Sequence, residues 1–441
     1  MEPYRLTASQ ALRLIKDNKL TLEDYTSSLL SRIESRDPTV QAWAYLNPER
    51  VLEQARRLDK LPVDQRGPLH GVPIGVKDVI YTKDMPTEHN SPLYRDSHVP
   101  IDAASIAILR AAGALIFGKT TTTEFASVTI GPKTINPHSL PPKPIRTPGG
   151  SSSGSGAAVA DFHVPLALGT QTGGSTIRPG SFNGIYAFKP TWGAVSREGQ
   201  KVYSLTLDTL GIFARGVGDL RLLAEVLGIK DDQEPKVESV QGAKFGIVNG
   251  PVWDLAGSGT VKAMKKARSL LEAHGAMVED VELPPEFKNM PDWHAKIMAA
   301  DGRTTFLPEY RMDKGKLQDF LVSQVENING WTRARELEAF DGVAKLRPVI
   351  DDIANRYAAL ITPSVPDEAP EGTLSTGSAA FNGMWTALHT PVVNIPGFQG
   401  ENGMPIGLSL VAARFKDEHL LSVAETVGEI FEAEGGWKSS L

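Results

Sequence analysis

The chain's 441 residues carry 46 lysines and arginines against 52 aspartates and glutamates. The resulting net charge of −6, with no basic stripe, argues against a nucleic-acid surface. There is no cysteine, which excludes disulfides, thiol catalysis and thiolate metal sites, while a 41% hydrophobic and 22% charged composition suits a globular chain with a large core.

Met1 to Lys19 lack the charged-then-apolar pattern of a targeting signal, and no run approaches the length of a membrane span. A cytoplasmic enzyme is therefore expected. Thr21 opens a helix with a capping-box-like Thr21-x-x-Asp24, carrying Tyr25, Leu29, Leu30 and Ile33 on one face. Asn47-Pro48 starts a second helix with proline in its first turn. Val72 to Val79 reads as a strand. Asp102 is placed to cap a helix through Ala112, which Gly113 ends, and Ala114 to Phe117 follows as a short buried strand. The proline-rich stretch Pro137 to Pro148 is a loop. Ala157 to Ala160 marks a helix start, and Pro165 to Gly169 a buried strand.

Further on, Lys244 to Val248 is a strand, Thr260 to His274 a helix and Met277 to Leu283 a strand. Arg335 to Arg356 reads as a long charged helix with a break near Pro348. Leu360-Ile361, Val392 to Ile395 and Ile406 to Val411 read as strands, and Asp417 to Ala433 as an amphipathic helix. Alternating strands and helices predict an α/β fold with a mixed, largely parallel sheet covered on both faces. No linker or composition break divides the chain, so one large domain is expected over residues 1–441.

Two neighbouring stretches concentrate glycine and serine: Gly149-Gly150-Ser151-Ser152-Ser153-Gly154-Ser155-Gly156, and Gly173-Gly174-Ser175. Such loops allow backbone N–H groups to approach a substrate closely. Upstream, Lys77 ends the apolar run Val72-Pro73-Ile74-Gly75-Val76. One lysine and two loop serines can form a base–relay–nucleophile set. Asp78 should point to the opposite strand face and is read as structural. The histidines show no metal-ligand spacing.

These segments resemble the amidase signature family of serine amidohydrolases. Its pattern of G-V-P-x-x-x-K-D, G-G-S-S-S-G, G-T-D-T-G-G-S and K-P-T is met by Gly71 to Asp78, Gly149 to Gly154, Gly169 to Ser175 with one change, and Lys189-Pro190-Thr191. The resemblance continues through Gly118-Lys119-Thr120, Thr123 to Ala126, Thr362-Pro363-Ser364 and Gly403 to Leu408. Its core spans about residues 65–200, and it is weakest between about 285 and 345, a variable segment expected to wall the entrance.

The resemblance implies the amidase signature fold, a large twisted mixed sheet inside helices. It implies Ser175 as nucleophile, Ser151 as relay and Lys77 as base. It also implies that the N–H groups of Thr172, Gly173, Gly174 and Ser175 form the oxyanion site, and that the Gly150–Ser151 peptide is cis. Ser152 and Ser153 are expected to hold the loop or bind the helix N-terminus. No metal or cofactor is implied. The implied reaction is cleavage of a small amide, with anilides, esters and aryl carbamates sharing the same chemistry. The implied partner is a small-molecule substrate; a homodimer is left open, and neither nucleic acid nor membrane is expected.

Two alternatives stand beside this reading. Family members also serve as the glutamine-hydrolysing subunit of a tRNA-dependent amidotransferase. Gly150 to Gly154 also matches G-x-S-x-G formally, with Ser152 as an α/β-hydrolase nucleophile, but that elbow needs a preceding strand and Pro141 to Pro148 cannot supply one. The sequence departs from the family at one place. Gln171 stands where aspartate is usual, and Arg178 lies one position beyond the usual arginine. We expect Gln171 to be buried and bonded to backbone near Ser175, with Arg178 paired elsewhere.

Overall fold

The computed structural model describes residues 2–139, 142–233, 237 and 239–441. Of the predicted loop Pro137 to Pro148, Leu140 and Pro141 lie outside the described residues. The strands are β1 (Trp43–Leu46), β2 (Pro73–Lys77), β3 (Leu115–Thr120), β4 (Leu166–Gln171), β5 (Tyr186–Lys189), β6 (Thr209–Ala214), β7 (Lys244–Ile247), β8 (Met277–Asp280), β9 (Ala359–Pro363), β10 (Val392–Gln399) and β11 (Pro405–Val411). The helices are α1 (Ala8–Lys16), α2 (Leu22–Val40), α3 (Pro48–Asp59), α4 (Ala104–Ala111), α5 (Ser153–Ala160), α6 (Ile177–Phe182), α7 (Val217–Val226), α8 (Ser258–Ala273), α9 (Met290–Thr305), α10 (Leu307–Asp313), α11 (Asp319–Glu326), α12 (Arg333–Ala354), α13 (Ala380–Ala387) and α14 (Asp417–Glu434).

The strands form one 11-stranded sheet in the order β1-β3-β2-β4-β6-β5-β10-β11-β9-β7-β8. Parallel pairing is confined to β3-β2-β4 and β9-β7-β8, and the other neighbours run antiparallel. The sheet is mixed, as expected, but not largely parallel. The difference comes from β5, β6, β10 and β11: the β5–β6 and β10–β11 pairs are joined without a crossover helix and run antiparallel.

Strand side chains alternate between two cores, as the period of two requires. Ile74, Val76, Ile116, Leu166, Leu168 and Ile212 join one cluster with residues of α4, α7, α8 and α14. Leu115, Phe117, Ala167 and Phe213 point the other way, into a cluster with α2, α3 and α5. Leu360, Val392 and Val411 share that second face with α6, α9, α12 and α13. Between these two clusters the second face carries glycine. Gly169 of β4 and Gly211 of β6 are direct cross-strand partners. A Cβ at Gly169 would meet Ser152 Oγ at 2.7 Å, and one at Gly211 would meet Thr176 Oγ1 at 2.1 Å. Both serine-bearing loops therefore rest directly on this glycine pair.

Three local expectations change. Thr21 does cap α2, accepting from the Asp24 N–H at 3.0 Å, but its box is not reciprocal. Instead the Asp59 carboxylate takes the Leu22 and Glu23 N–H groups at 2.8 and 3.0 Å. Asp102 does not cap α4, whose N-cap is Ala103; its carboxylate accepts from the Lys83 N–H and pairs with Arg110 at 3.1 Å. Pro348 lies inside α12 without ending it. Ala339, Val343, Leu346, Ile350 and Ile353 are buried along that helix, and this packing outweighs the one lost backbone hydrogen bond.

Candidate active site

Lys77 closes β2 and is fully buried. Its Nζ lies 2.7 Å from Ser151 Oγ and 2.7 Å from Thr170 Oγ1. Burial drives the Lys77 amine well below the ordinary lysine range; the Asp208 carboxylate opposes this shift and the Arg178 guanidinium adds to it. A neutral amine keeps a lone pair, which can accept the Ser151 proton.

The loop holding Ser151 is pinned from several sides. The Gly150–Ser151 peptide is cis, in line with the resemblance. Ser151 accepts the Thr123 N–H at its carbonyl, 3.3 Å away. Ser153 Oγ donates to the Gly149 carbonyl at 2.8 Å, and Ser155 Oγ to Leu168 at 2.8 Å. Ser152 is fully buried, with Oγ 3.3 Å from both the N–H and the carbonyl oxygen of Thr170. Ser152 and Ser153 thus hold the loop. The described part of the segment before Gly149 forms no strand beyond one isolated bridge at Arg146, so the geometry around Ser152 is not that of a strand-to-helix elbow.

Ser175 sits between β4 and α6 and is 8% exposed. Among the described residues its hydroxyl makes no hydrogen bond, so the Lys77–Ser151 half of the set is joined and the Ser151–Ser175 half is not. Catalytic hydrogen bonds commonly tighten only once substrate is bound.

The loop from Thr172 to Ser175 is held by its carbonyls. His294 Nε2 lies 3.0 Å from the Thr172 carbonyl, Thr386 Oγ1 donates to Gly173 at 2.8 Å, and the Arg178 N–H donates to Gly174 at 3.0 Å. In a planar trans peptide the N–H points opposite to the C=O. Anchoring these three carbonyls therefore turns the N–H groups of Gly173, Gly174 and Ser175 the other way. Among the described residues, those three N–H groups and that of Thr172 have no hydrogen-bond partner. A Cβ at Gly174 would come within 2.2 Å of Asn382 Oδ1, which is why the position carries glycine.

Gln171 is 1% exposed. Its Oε1 accepts the Thr176 and Ile177 N–H groups at 2.9 and 3.0 Å, and its Nε2 donates to Thr386 Oγ1 at 3.0 Å. Arg178 Nη2 donates to the Gly150 carbonyl at 2.6 Å and to Thr376 Oγ1 at 3.2 Å. Both expectations for this departure from the family pattern hold in the geometry. Asp78 pairs with Lys119 at 3.2 Å, away from Lys77, and burial pushes its carboxyl up to about 6.

Sequence reasoning missed Thr170, Asp208, His294, Thr376 and Thr386. Thr170 lies inside the Gly169 to Ser175 motif, so its position could have been found. The other four come from segments with no recognisable pattern, and only the fold brings them to the loops. His294 arises from α9, in the segment where the resemblance is weakest. Two cavities of about 550 Å³ lie elsewhere, one under Trp437 near the C-terminus and one between α1 and residues 63–70. No helix among the described residues is long and apolar enough to cross a membrane.

The profile of the amidase family matches residues 24–421. The chain belongs to the amidase family. A glutamyl-tRNA(Gln) amidotransferase subunit from Chloroflexus aurantiacus is 35% identical, with 98% of each chain covered. Among solved structures, one described as an amidase superposes with a TM-score of 0.85 at 27% identity, covering 96% of this chain and 99% of the other. The peptide amidase of Stenotrophomonas maltophilia gives 0.78 at 25% identity, covering 97% and 98%. These matches fit the observed sheet and its helical layers.

Proposed function

We propose that this amidase-family chain cleaves the C–N bond of small amides through Ser175, Ser151 and Lys77. The observation that carries the reading is the 2.7 Å contact between a fully buried Lys77 amine and Ser151. On attack, Ser175 Oγ bonds to the substrate carbonyl carbon and passes its proton to Ser151, whose own proton goes to the Lys77 lone pair. The carbonyl electron pair moves to oxygen, where the N–H groups of Thr172 to Ser175 receive it; one such donor is worth roughly 3–4 kcal/mol. The proton then returns to the leaving nitrogen, and water releases the acyl group from Ser175. Anilides, esters and aryl carbamates fit the same steps.

On this reading the substrate is a small molecule, and neither cofactor nor partner subunit is needed. Gln171, Arg178, Gly150 and Ser152 support the two loops, and residues of about 285–345 shape the entrance. A second reading is favoured by sequence similarity: a glutamine-hydrolysing component of a larger enzyme, as in the Chloroflexus aurantiacus relative's name. A turnover panel separates them. Aryl amides, amino acid amides, aryl carbamates and glutamine are offered to the chain alone. Turnover of simple amides with no other protein added supports the first reading. Hydrolysis of glutamine alone, appearing only with partner subunits, supports the second.

A further inference from the structure

Asp208 lies immediately before β6, and its carboxylate is buried. Oδ1 accepts from the Thr172 hydroxyl at 2.6 Å, and Oδ2 from the Tyr203 N–H at 2.7 Å. Its neighbour Thr209 is the cross-strand partner of Gln171. The carboxylate thus grips the oxyanion loop by the side chain of Thr172, while His294 grips the same residue by its carbonyl. A buried carboxylate met by neutral donors is costly to keep. The cost is offset when a cation forms nearby.

Such a cation forms on Lys77 in the mechanism above. The resting amine is neutral, and proton transfer from Ser175 through Ser151 creates an ammonium in a fully buried site. Among the described residues, the charges acting on Lys77 are Asp208, which favours the ammonium, and Arg178 on α6, which opposes it. We propose that Asp208 is a positioning residue of the amide-cleaving site: it fixes Thr172 and supplies the counter-charge for the ammonium formed on Lys77. The proposal rests on the functional reading just given.

The groups facing Asp208 are consistent with that role. Arg197 donates to its backbone carbonyl at 3.1 Å, and its guanidinium favours the ionised carboxylate without bonding to it. Tyr203 faces both Asp208 and Asp301 of α9, and Asp301 is bonded to Ser204 and Thr206. Burial pushes the Asp208 carboxyl up to about 6, so it is ionised at neutral pH.

The test uses phenylmethylsulfonyl fluoride, an uncharged reagent that needs only an activated serine. Labelling of Ser175 is followed by peptide mass spectrometry from about pH 5 to 10, where the acid limb reports Lys77 and, below about pH 7, also the protonation of Asp208. Asp208→Asn should lower the plateau rate by roughly 10²-fold. It should also move the limb down by about one pH unit or more, because the ammonium loses its counter-charge. Asp208→Glu should keep the limb within about 0.3 unit of wild type while lowering the plateau, since charge is retained and Thr172 is displaced. An Asn variant with an unmoved limb overturns the proposal. If the Asn variant does not fold, the Glu variant decides, and a limb displaced by a full unit overturns it. Wild-type Ser175 unlabelled at every pH would instead overturn the functional reading, and this proposal with it.

Discussion

Gln171→Ala tests how the loop carrying Ser175 is built. The wild-type side chain makes three hydrogen bonds: two accepted from the N–H groups of Thr176, the N-cap of α6, and Ile177, its first residue, and one donated to Thr386. Thr386 in turn donates to the Gly173 carbonyl. Alanine leaves two buried N–H groups without partners, each worth about 1–3 kcal/mol, so a loss of roughly 2–6 kcal/mol in folding stability is expected. The kinetic effect is separable. With Thr386 no longer held, the Gly173 carbonyl is free to turn, and the N–H of Gly174 turns with it. The donors remain but lose their aim, so kcat should fall about 10- to 100-fold, short of the full loss of an oxyanion donor. KM should change far less, because the lost contacts act in the transition state. Urea denaturation gives the first quantity and steady-state kinetics on the best amide of the panel gives the second. Gln171→Glu, which can still accept both N–H groups, should recover most of the stability but not the Thr386 contact. Wild-type kcat and wild-type denaturation midpoint in Gln171→Ala would refute the reasoning.

Lys77→Met should abolish amide turnover and yet stabilise the fold at neutral pH. Burial lowers the Lys77 amine well below the ordinary lysine value in the native state, while the unfolded chain binds its proton up to about pH 10.4, so stability rises with pH between the two values. Removing the amine should therefore raise stability near pH 7, a gain that vanishes as pH approaches about 10; thermal melts across pH check the sign. Amide turnover by the wild type should rise with pH and level off once Lys77 is neutral, as a pH–rate profile would show. His294→Ala should lower kcat about tenfold or more by freeing the Thr172 carbonyl, with little change in the melting temperature, since one half-buried hydrogen bond is worth about 1 kcal/mol.

Much of the site could be read from residues because its chemistry is packed into short, unusual segments. A lysine ending an apolar run predicts burial, and burial is what lowers its affinity for a proton. Gly-Gly before Ser175 predicts close backbone approach, and Asn382 against Gly174 is the physical reason. Strands such as Ile406 to Val411 and helices such as Asp417 to Ala433 announce themselves by periodicity. Strand direction does not. β5 and β6 are short and buried along their whole length, and whether such a strand runs parallel or antiparallel depends on its connection, not its composition. Asp102 and Pro348 show the local rules losing to tertiary contacts: a carboxylate taken by Arg110, and a proline carried by a packed helix face. His294, Thr386 and Asp208 were illegible because each sits in an ordinary local sequence and gains its role from one contact made across the fold.

The central claim is that Ser175 takes the acyl group. The most direct measurement is acid quenching during turnover of an aryl carbamate or amide, followed by peptide mass spectrometry. An acyl adduct on the peptide containing Ser175, absent in Ser175→Ala, is the expected result. An adduct on Ser152, or turnover that persists in Ser175→Ala, would contradict the account.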